Sequence, residues 1–239
     1  MGDNCGVWPD LWHFLEDQMT ILQRGNYFVA ATGTDAGKTF LLGEMCKKLR
    51  EKNLHCGAIK PVASGFVEGD AQSDSAKILQ SLGLENSLQN VESITPWRFA
   101  QPLAPSLAAT FENKKIDFLE VQKFCHEKIL AAQKNAADYF FIEGAGGVMT
   151  PLNNEKTFLD LALALKIPVL LLTQNYLGAI SHTLCAVEAL RSKAVTIEKI
   201  IVNDFANQND AIKIADTILQ IEKLSQIKTL SLVNFLREL

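Results

Sequence analysis

Val29-Ala30-Ala31-Thr32-Gly33-Thr34-Asp35-Ala36-Gly37-Lys38-Thr39 is the stretch on which the fold turns. Tyr27-Phe28-Val29-Ala30 before it is a short apolar run with the composition of a strand. Thr39 to Glu51 behind it carries Leu42, Met45, Cys46 and Leu49 at the spacing of one helical face. A glycine-containing turn that joins strand to helix through Gly-Lys-Thr is a phosphate loop. Its backbone N–H groups, including those of Asp35, Ala36 and Gly37, and the positive end of the helix face an anion. Lys38 then reaches the β- and γ-phosphates of a nucleotide, and the Thr39 hydroxyl can ligate Mg2+. The general pattern has glycine five positions before Gly37; here that position is Thr32, and Gly33 supplies the backbone freedom of the turn.

Outward from this loop, apolar runs alternate with amphipathic ones. Strands are expected at Cys56 to Lys60, Tyr139 to Ile142, Pro168 to Leu172 and Ile197 to Val202, with a last one at Leu230 to Val233. Helices are expected at Ser73 to Leu82, Asp117 to Asn135 (Leu119, Val121, Phe124 and Leu130 inward), Gly178 to Arg191 and Ala211 to Leu224. Strands apolar on both faces, each followed by a helix, predict a single α/β domain: a mostly parallel sheet covered by helices on both faces, of the P-loop NTPase type. That domain is read over residues 26–239. Residues 1–25 read as an N-terminal extension, in which Trp8, Trp12 and Phe14 lie among acids and Met19 offers an internal start.

Composition narrows the function. A net charge of −4 argues against a nucleic-acid partner, which needs clustered Lys and Arg. Five scattered cysteines without CxxC spacing fit a reducing compartment and give neither a disulfide framework nor a metal site. No apolar run reaches the ~18 residues that span a bilayer; the best, Phe158 to Thr173, is interrupted by Lys166. The N-terminus carries Asp3, Asp10, Glu16 and Asp17 in place of a signal peptide's basic start and apolar stretch. A cytoplasmic protein with no membrane partner is expected.

Further candidates fall at strand ends, where open α/β sheets bind ligands. Lys60 ends the second strand, and Pro61 holds it extended, so the ammonium projects from the edge. Alone it reads as a solvated charge; beside a P-loop and Ser64-Gly65 it reads as functional. Glu143 ends an apolar strand where P-loop enzymes keep a carboxylate for Mg2+, and Gly144-Ala145-Gly146-Gly147 allows close approach of backbone to substrate. Asp74 opens a short helix and is as compatible with a cap as with metal binding. Gly178-Ala179-Ile180-Ser181 begins a helix whose free N–H groups can take a carboxylate, while His182 reads as a packing or hydrogen-bonding residue. Asn203 and Asp204 end another strand, and an Asn there can meet a purine edge or mark a turn.

Taken in order, Ala36-Gly37-Lys38-Thr39, Lys60-Pro61-Val62-Ala63-Ser64-Gly65, Glu143 to Gly147 with Thr150-Pro151-Leu152, Leu177 to His182 and Val202-Asn203-Asp204 resemble the dethiobiotin synthetase family over about three quarters of the chain. The resemblance implies a homodimeric, ATP-dependent cyclo-ligase of biotin biosynthesis. It would close the ureido ring of dethiobiotin from 7,8-diaminopelargonate, CO2 and ATP through a carbamate and a carbamic–phosphoric anhydride. Carried over position by position, Lys38 and Lys60 hold phosphate and carbamate charge, and Thr39, Asp74 and Glu143 surround Mg2+. Thr34, Ser64 and Gly144, Ala145, Gly146 and Gly147 line the diamine site, with Asp35 close to the amines. Gly178, Ala179, Ile180 and Ser181, supplied by the partner subunit, take the substrate carboxylate; Asn203 reads adenine, and Asp204 belongs to the nucleotide site beside it. A partition-type ATPase switch, the rival of another class, would open its P-loop with a lysine where this chain has Ala31 and Thr32.

Overall fold

The computed structural model describes residues 21–203 and 213–239. Its centre is a six-stranded sheet in which every pairing is parallel, ordered β2-β5-β1-β6-β7-β8. The strands are β1 (Gly25–Ala31), β2 (Cys56–Ile59), β5 (Tyr139–Glu143), β6 (Val169–Gln174), β7 (Ile197–Asn203) and β8 (Thr229–Ser231). All five residues of β5 and the first five of β6 are buried. Successive side chains point to opposite faces, so unbroken burial means that both faces of the sheet are covered. β1 begins at Gly25, ahead of the expected Tyr27, and Leu22 before it is buried, its carbonyl accepting from the Tyr139 hydroxyl at 3.1 Å.

Parallel pairing sets the functional edge. Because the strands run the same way, the carboxyl ends of β1, β2, β5, β6 and β7 finish at one side of the sheet. Register fixes the alignment: Val29 pairs with Glu143, and Gln174 with Asn203. Helix α1 (Lys38–Glu51) follows β1, and α2 (Asp74–Leu82) packs beside it. Between β2 and α2 the chain adds β3 (Val62–Ser64), which pairs in parallel with β4 (Trp97–Phe99) as a separate two-stranded ribbon. The short helices α3 (Leu88–Ile94) and α4 (Pro105–Phe111) flank β4. Three residues each are too few for β3 and β4 to show a periodicity, and none of these four elements was expected from the sequence.

Elsewhere the structure redraws particular expectations. Helix α5 (Phe118–Lys134) buries Val121, Cys125 and Ile129, while Leu119 and Leu130 are 70% and 63% exposed rather than inward. At about 100° per residue, Leu119 and Leu130 lie roughly 120–140° around the helix from Cys125, away from the buried stripe. The apolar run from Phe158 breaks at Lys166, which adopts φ 54°; before it lies α6 (Phe158–Leu165), closed at its start by a Thr157–Asp160 capping box, and after it β6. Helix α7 (Ala179–Ser192) is as expected, and α8 is described over Ile214–Ser225. The final strand stops at Ser231 instead of running to Val233. The Ser231 hydroxyl accepts from the Asn234 N–H at 3.2 Å and starts α9 (Leu232–Glu238). Among the described residues no helix is long and apolar enough to cross a membrane.

Candidate functional site

The loop between β1 and α1 is held in shape from beneath. Gly37 is the N-cap of α1 at φ 97°, a left-handed conformation that glycine adopts without strain. It also has no room for a side chain, since a Cβ would stand 2.5 Å from Asn203 Nδ2. That amide donates to the Ala36 carbonyl at 2.9 Å, and Gln174 Nε2 donates to the Asp35 carbonyl at 2.7 Å. The ends of β6 and β7 thus hold two successive loop carbonyls. Thr32, at the place of the usual glycine, donates its hydroxyl to Thr173 Oγ1 at 3.1 Å, and Thr183 donates to the same oxygen at 3.0 Å. This hydroxyl ladder ties the loop to β6 and the first turns of α7.

Two buried lysines meet the loop. Lys38, 6% exposed, donates to the Gly146 carbonyl at 2.7 Å and to the Gly33 carbonyl at 3.4 Å. Burial lowers its ammonium to about 8, against the upward pull of Glu143. Lys60, equally hidden, donates to Glu143 Oε1 at 2.7 Å and forms a second ion pair with Asp74 Oδ2. Burial pulls that ammonium down, but the two carboxylates outweigh it and hold the group above its ordinary value. Lys60 is therefore a desolvated, fixed cation and not a solvated surface charge. Ser73 is the N-cap of α2, accepting from the Ala76 N–H at 3.2 Å. Asp74 does not cap the helix; the first turn delivers its carboxylate to Lys60.

Glu143 is fully buried at the end of β5, and its Oε1 accepts from Thr39 Oγ1 at 2.8 Å as well as from Lys60. Its Oε2 is buried with no partner among the described residues. A buried carboxylate oxygen without a donor is costly, and a cation is its natural complement. The hydroxyl of Thr39 and the carboxylates of Asp74 and Glu143 are hard oxygen donors that can hold Mg2+, whose remaining positions go to phosphate and water. Among the described residues no cluster of three or more His, Cys, Asp or Glu side chains is found.

A cavity of about 1240 Å³ opens over these groups, lined among others by Thr34, Asp35, Lys60, Ser64, Ala145 and Gly146. Gly144 and Gly147 of the same turn do not line it; a Cβ on Gly147 would stand 2.9 Å from the Thr32 carbonyl oxygen, so the turn lies directly on the P-loop backbone. Pro102 to Pro105, Thr150 and Pro151 also line it, and on the side of α1 and α2 so do Lys47, Arg50, Lys77 and Gln80. The first of these segments gave no signal in the sequence.

A family model described as an AAA domain matches residues 25–239. The ATP-dependent dethiobiotin synthetase BioD of Acidiphilium cryptum is 39% identical over 182 residues, covering 74% of this chain and 79% of that protein. The protein of the same name from Methanococcus vannielii is 32% identical over 207 residues, covering 87% and 92%. The chain belongs to the dethiobiotin synthetase family. The backbone also resembles chloroplast FtsY from Physcomitrella patens, with a TM-score of 0.52 at 11% identity. The match covers 91% of this chain and 65% of that one, a likeness of fold alone.

Against the positions that the dethiobiotin synthetase family resemblance singled out, the structure brings Thr34, Asp35, Lys38, Thr39, Lys60, Ser64, Asp74, Glu143, Ala145 and Gly146 to one cavity. Gly178, Ala179, Ile180 and Ser181 do not line it; they begin α7, with Gly178 at φ 105° as its N-cap. Next to them the Tyr176 hydroxyl and His182 Nδ1 are 2.5 Å apart, in accord with a hydrogen-bonding His182. Asn203 reaches the P-loop from behind, and Asp204 lies outside the described residues. Gln174, Thr173 and Thr183 are the supporting residues that sequence reasoning left without a role. Their partners are more than a hundred residues away or on another element, and no local pattern marks them.

Proposed function

We propose that this protein is an ATP-dependent dethiobiotin synthetase that closes the ureido ring of dethiobiotin from 7,8-diaminopelargonate, CO2 and ATP. The observation that carries the reading is Lys60, a buried cation at the end of β2, fixed beside Lys38, Thr39 and Glu143. An NTP hydrolase needs a phosphate loop and a metal; a second buried lysine facing the same cavity serves a second anion. A carbamate is that anion.

One amine nitrogen attacks CO2 and loses a proton, forming the carbamate. A carbamate oxygen then attacks the γ-phosphorus and ADP leaves. Finally the second amine attacks the carbamoyl carbon, phosphate leaves, and the ring is closed. The protein's part is to bring two anions together, with cations in place before reaction. The P-loop N–H groups and Lys38 receive the phosphates, and Lys60 neutralises carbamate oxygen. Thr39, Asp74 and Glu143 would hold Mg2+, which supplies charge neutralisation on the phosphates. Thr34, Ser64, Ala145 and Gly146 line the diamine site, with Gly144 and Gly147 shaping the turn that carries them, and Asp35 can orient an ammonium. Asn203 serves the nucleotide by holding the Ala36 carbonyl of the loop.

The carboxylate of the diamine is assigned to the start of α7, Gly178 to Ser181, from a partner subunit. Support comes from exposed apolar side chains that a partner could cover: Leu103 ahead of α4, Leu107 and Phe111 on it, and Met149 and Leu177. A homodimer that covers them would bring a second copy to the cavity. The deciding experiment is incubation with 7,8-diaminopelargonate, MgATP and ¹³C-bicarbonate, followed by mass analysis. One labelled carbon in dethiobiotin, matched by equal ADP and phosphate, is expected; no labelled product would remove the reading.

A further inference from the structure

Lys60 has two tasks that conflict in space. Its ammonium is given to Glu143 Oε1 at 2.7 Å and to Asp74 Oδ2. Those two carboxylates, with the Thr39 hydroxyl, are the donors able to hold a divalent cation. Thr39 Oγ1 donates to Glu143 Oε1 at 2.8 Å, the same oxygen that accepts from the ammonium, so the hydroxyl and both carboxylates meet at this one place. The lysine nitrogen stands between Glu143 Oε1 and Asp74 Oδ2, where a cation held by both carboxylates would stand.

We propose that Lys60 is an internal counter-cation of the metal site: it neutralises Glu143 and Asp74 until a divalent cation displaces it, and displacement turns it toward the second substrate. The inference rests on the same three metal donors named above, but not on which reaction the enzyme performs.

The physical reasons are independent. Glu143 is fully buried and the Asp74 carboxylate, 44% exposed, shares the same ammonium, so the two anions repel unless a cation lies between them. Lys60 supplies that cation, and remains charged because its partners outweigh its burial. A doubly charged ion arriving on the same oxygens gives better neutralisation and repels the ammonium from short range. The four-carbon stem of lysine lets the ammonium move without moving the backbone. The backbone is anchored meanwhile: the Lys60 N–H donates to the Ile94 carbonyl at 3.2 Å, and Pro61 fixes the chain beyond. Glu143 Oε2, buried without a partner among the described residues, shows that the lysine leaves half of this carboxylate unserved.

The consequence is opposite in sign to what loss of a functional residue ordinarily does. Removing Lys60 should tighten metal binding, because the competitor is gone. The test is Mn2+ binding by electron paramagnetic resonance at pH 8, without nucleotide or diamine, on the whole chain. Lys60→Ala is expected to bind Mn2+ at least tenfold more tightly than the unsubstituted protein, and Glu143→Gln in the same background to abolish that binding. If Lys60→Ala is recovered unfolded, Lys60→Met keeps the stem and carries the same expectation. Unchanged or weaker binding in a folded Lys60 variant, or no Mn2+ binding in any variant, would overturn the proposal. Product analysis with labelled bicarbonate judges the synthetase reading separately, so the two can fail independently.

Discussion

Replacing Gly147 by alanine tests the contact that joins the two halves of the site. The added Cβ would lie 2.9 Å from the Thr32 carbonyl oxygen, 3.1 Å from its carbon and 3.3 Å from the Gly33 nitrogen. All three are backbone atoms, and ordinary contact begins at 3.4 Å. No side chain can swing aside, so the Gly144 to Gly147 turn or the P-loop must shift by roughly half an ångström. Overpacking of this kind costs about 1–3 kcal/mol. In a domain of this size that lowers the melting temperature by roughly 2–12 °C. Because the shift falls on the loop whose N–H groups receive the phosphates, ATP affinity should fall as well. Gly33→Ala is the internal control: contrary to the expectation that Gly33 supplies the turn's backbone freedom, its φ is not left-handed, and a Cβ there meets nothing within 4 Å. Thermal melts and calorimetric titration with MgATP on both variants decide it. The reasoning fails if Gly147→Ala melts and binds like the unsubstituted protein, or if Gly33→Ala is as damaging.

Three further outcomes are expected. Lys38, lowered to about 8 by burial, loses its proton as pH rises through that value, whereas bound phosphate favours the charged form. ATP binding should therefore take up a proton near pH 8.5 and weaken between pH 7 and 9.5; Lys38→Arg should remove this dependence, and calorimetry in two buffers of different ionisation enthalpy measures it. Asn203→Ala leaves the Ala36 carbonyl without its donor and should cost roughly 1–3 kcal/mol, lowering affinity for ATP, GTP and CTP together; a loss confined to ATP would point to direct contact with the base. Phosphate release should require both diamine and bicarbonate, and Lys60→Ala should slow phosphorylation more than it weakens ATP binding; brisk hydrolysis of ATP alone would contradict the assignment of Lys60 to carbamate.

How much could be read in advance differs from residue to residue. The P-loop was legible because strand, Gly-Lys-Thr and helix are contiguous, and the anion-binding geometry is made by backbone. Glu143 was legible because the acid ends an unbroken apolar run. Asp74 was ambiguous: position 74 at a helix start suits a cap, and only the observed cap at Ser73 frees its carboxylate for Lys60. Leu119 and Leu130 were placed inward because apolar residues were counted without fixing which stripe met the sheet; Val121, Cys125 and Ile129 form that stripe.

The sequence by itself determined the parallel α/β architecture and the phosphate-binding loop, since periodicity and the strand–loop–helix order act over short stretches of chain. Tertiary structure alone decided the charge state and partners of the site. Lys60 and Glu143 are 83 residues apart, and Asn203 and Ala36 are 167 apart. They meet only because parallel pairing carries the ends of β1, β2, β5 and β7 to one edge. There burial removes water from the lysines, so the nearest carboxylates and carbonyls, rather than solvent, set what each ammonium does.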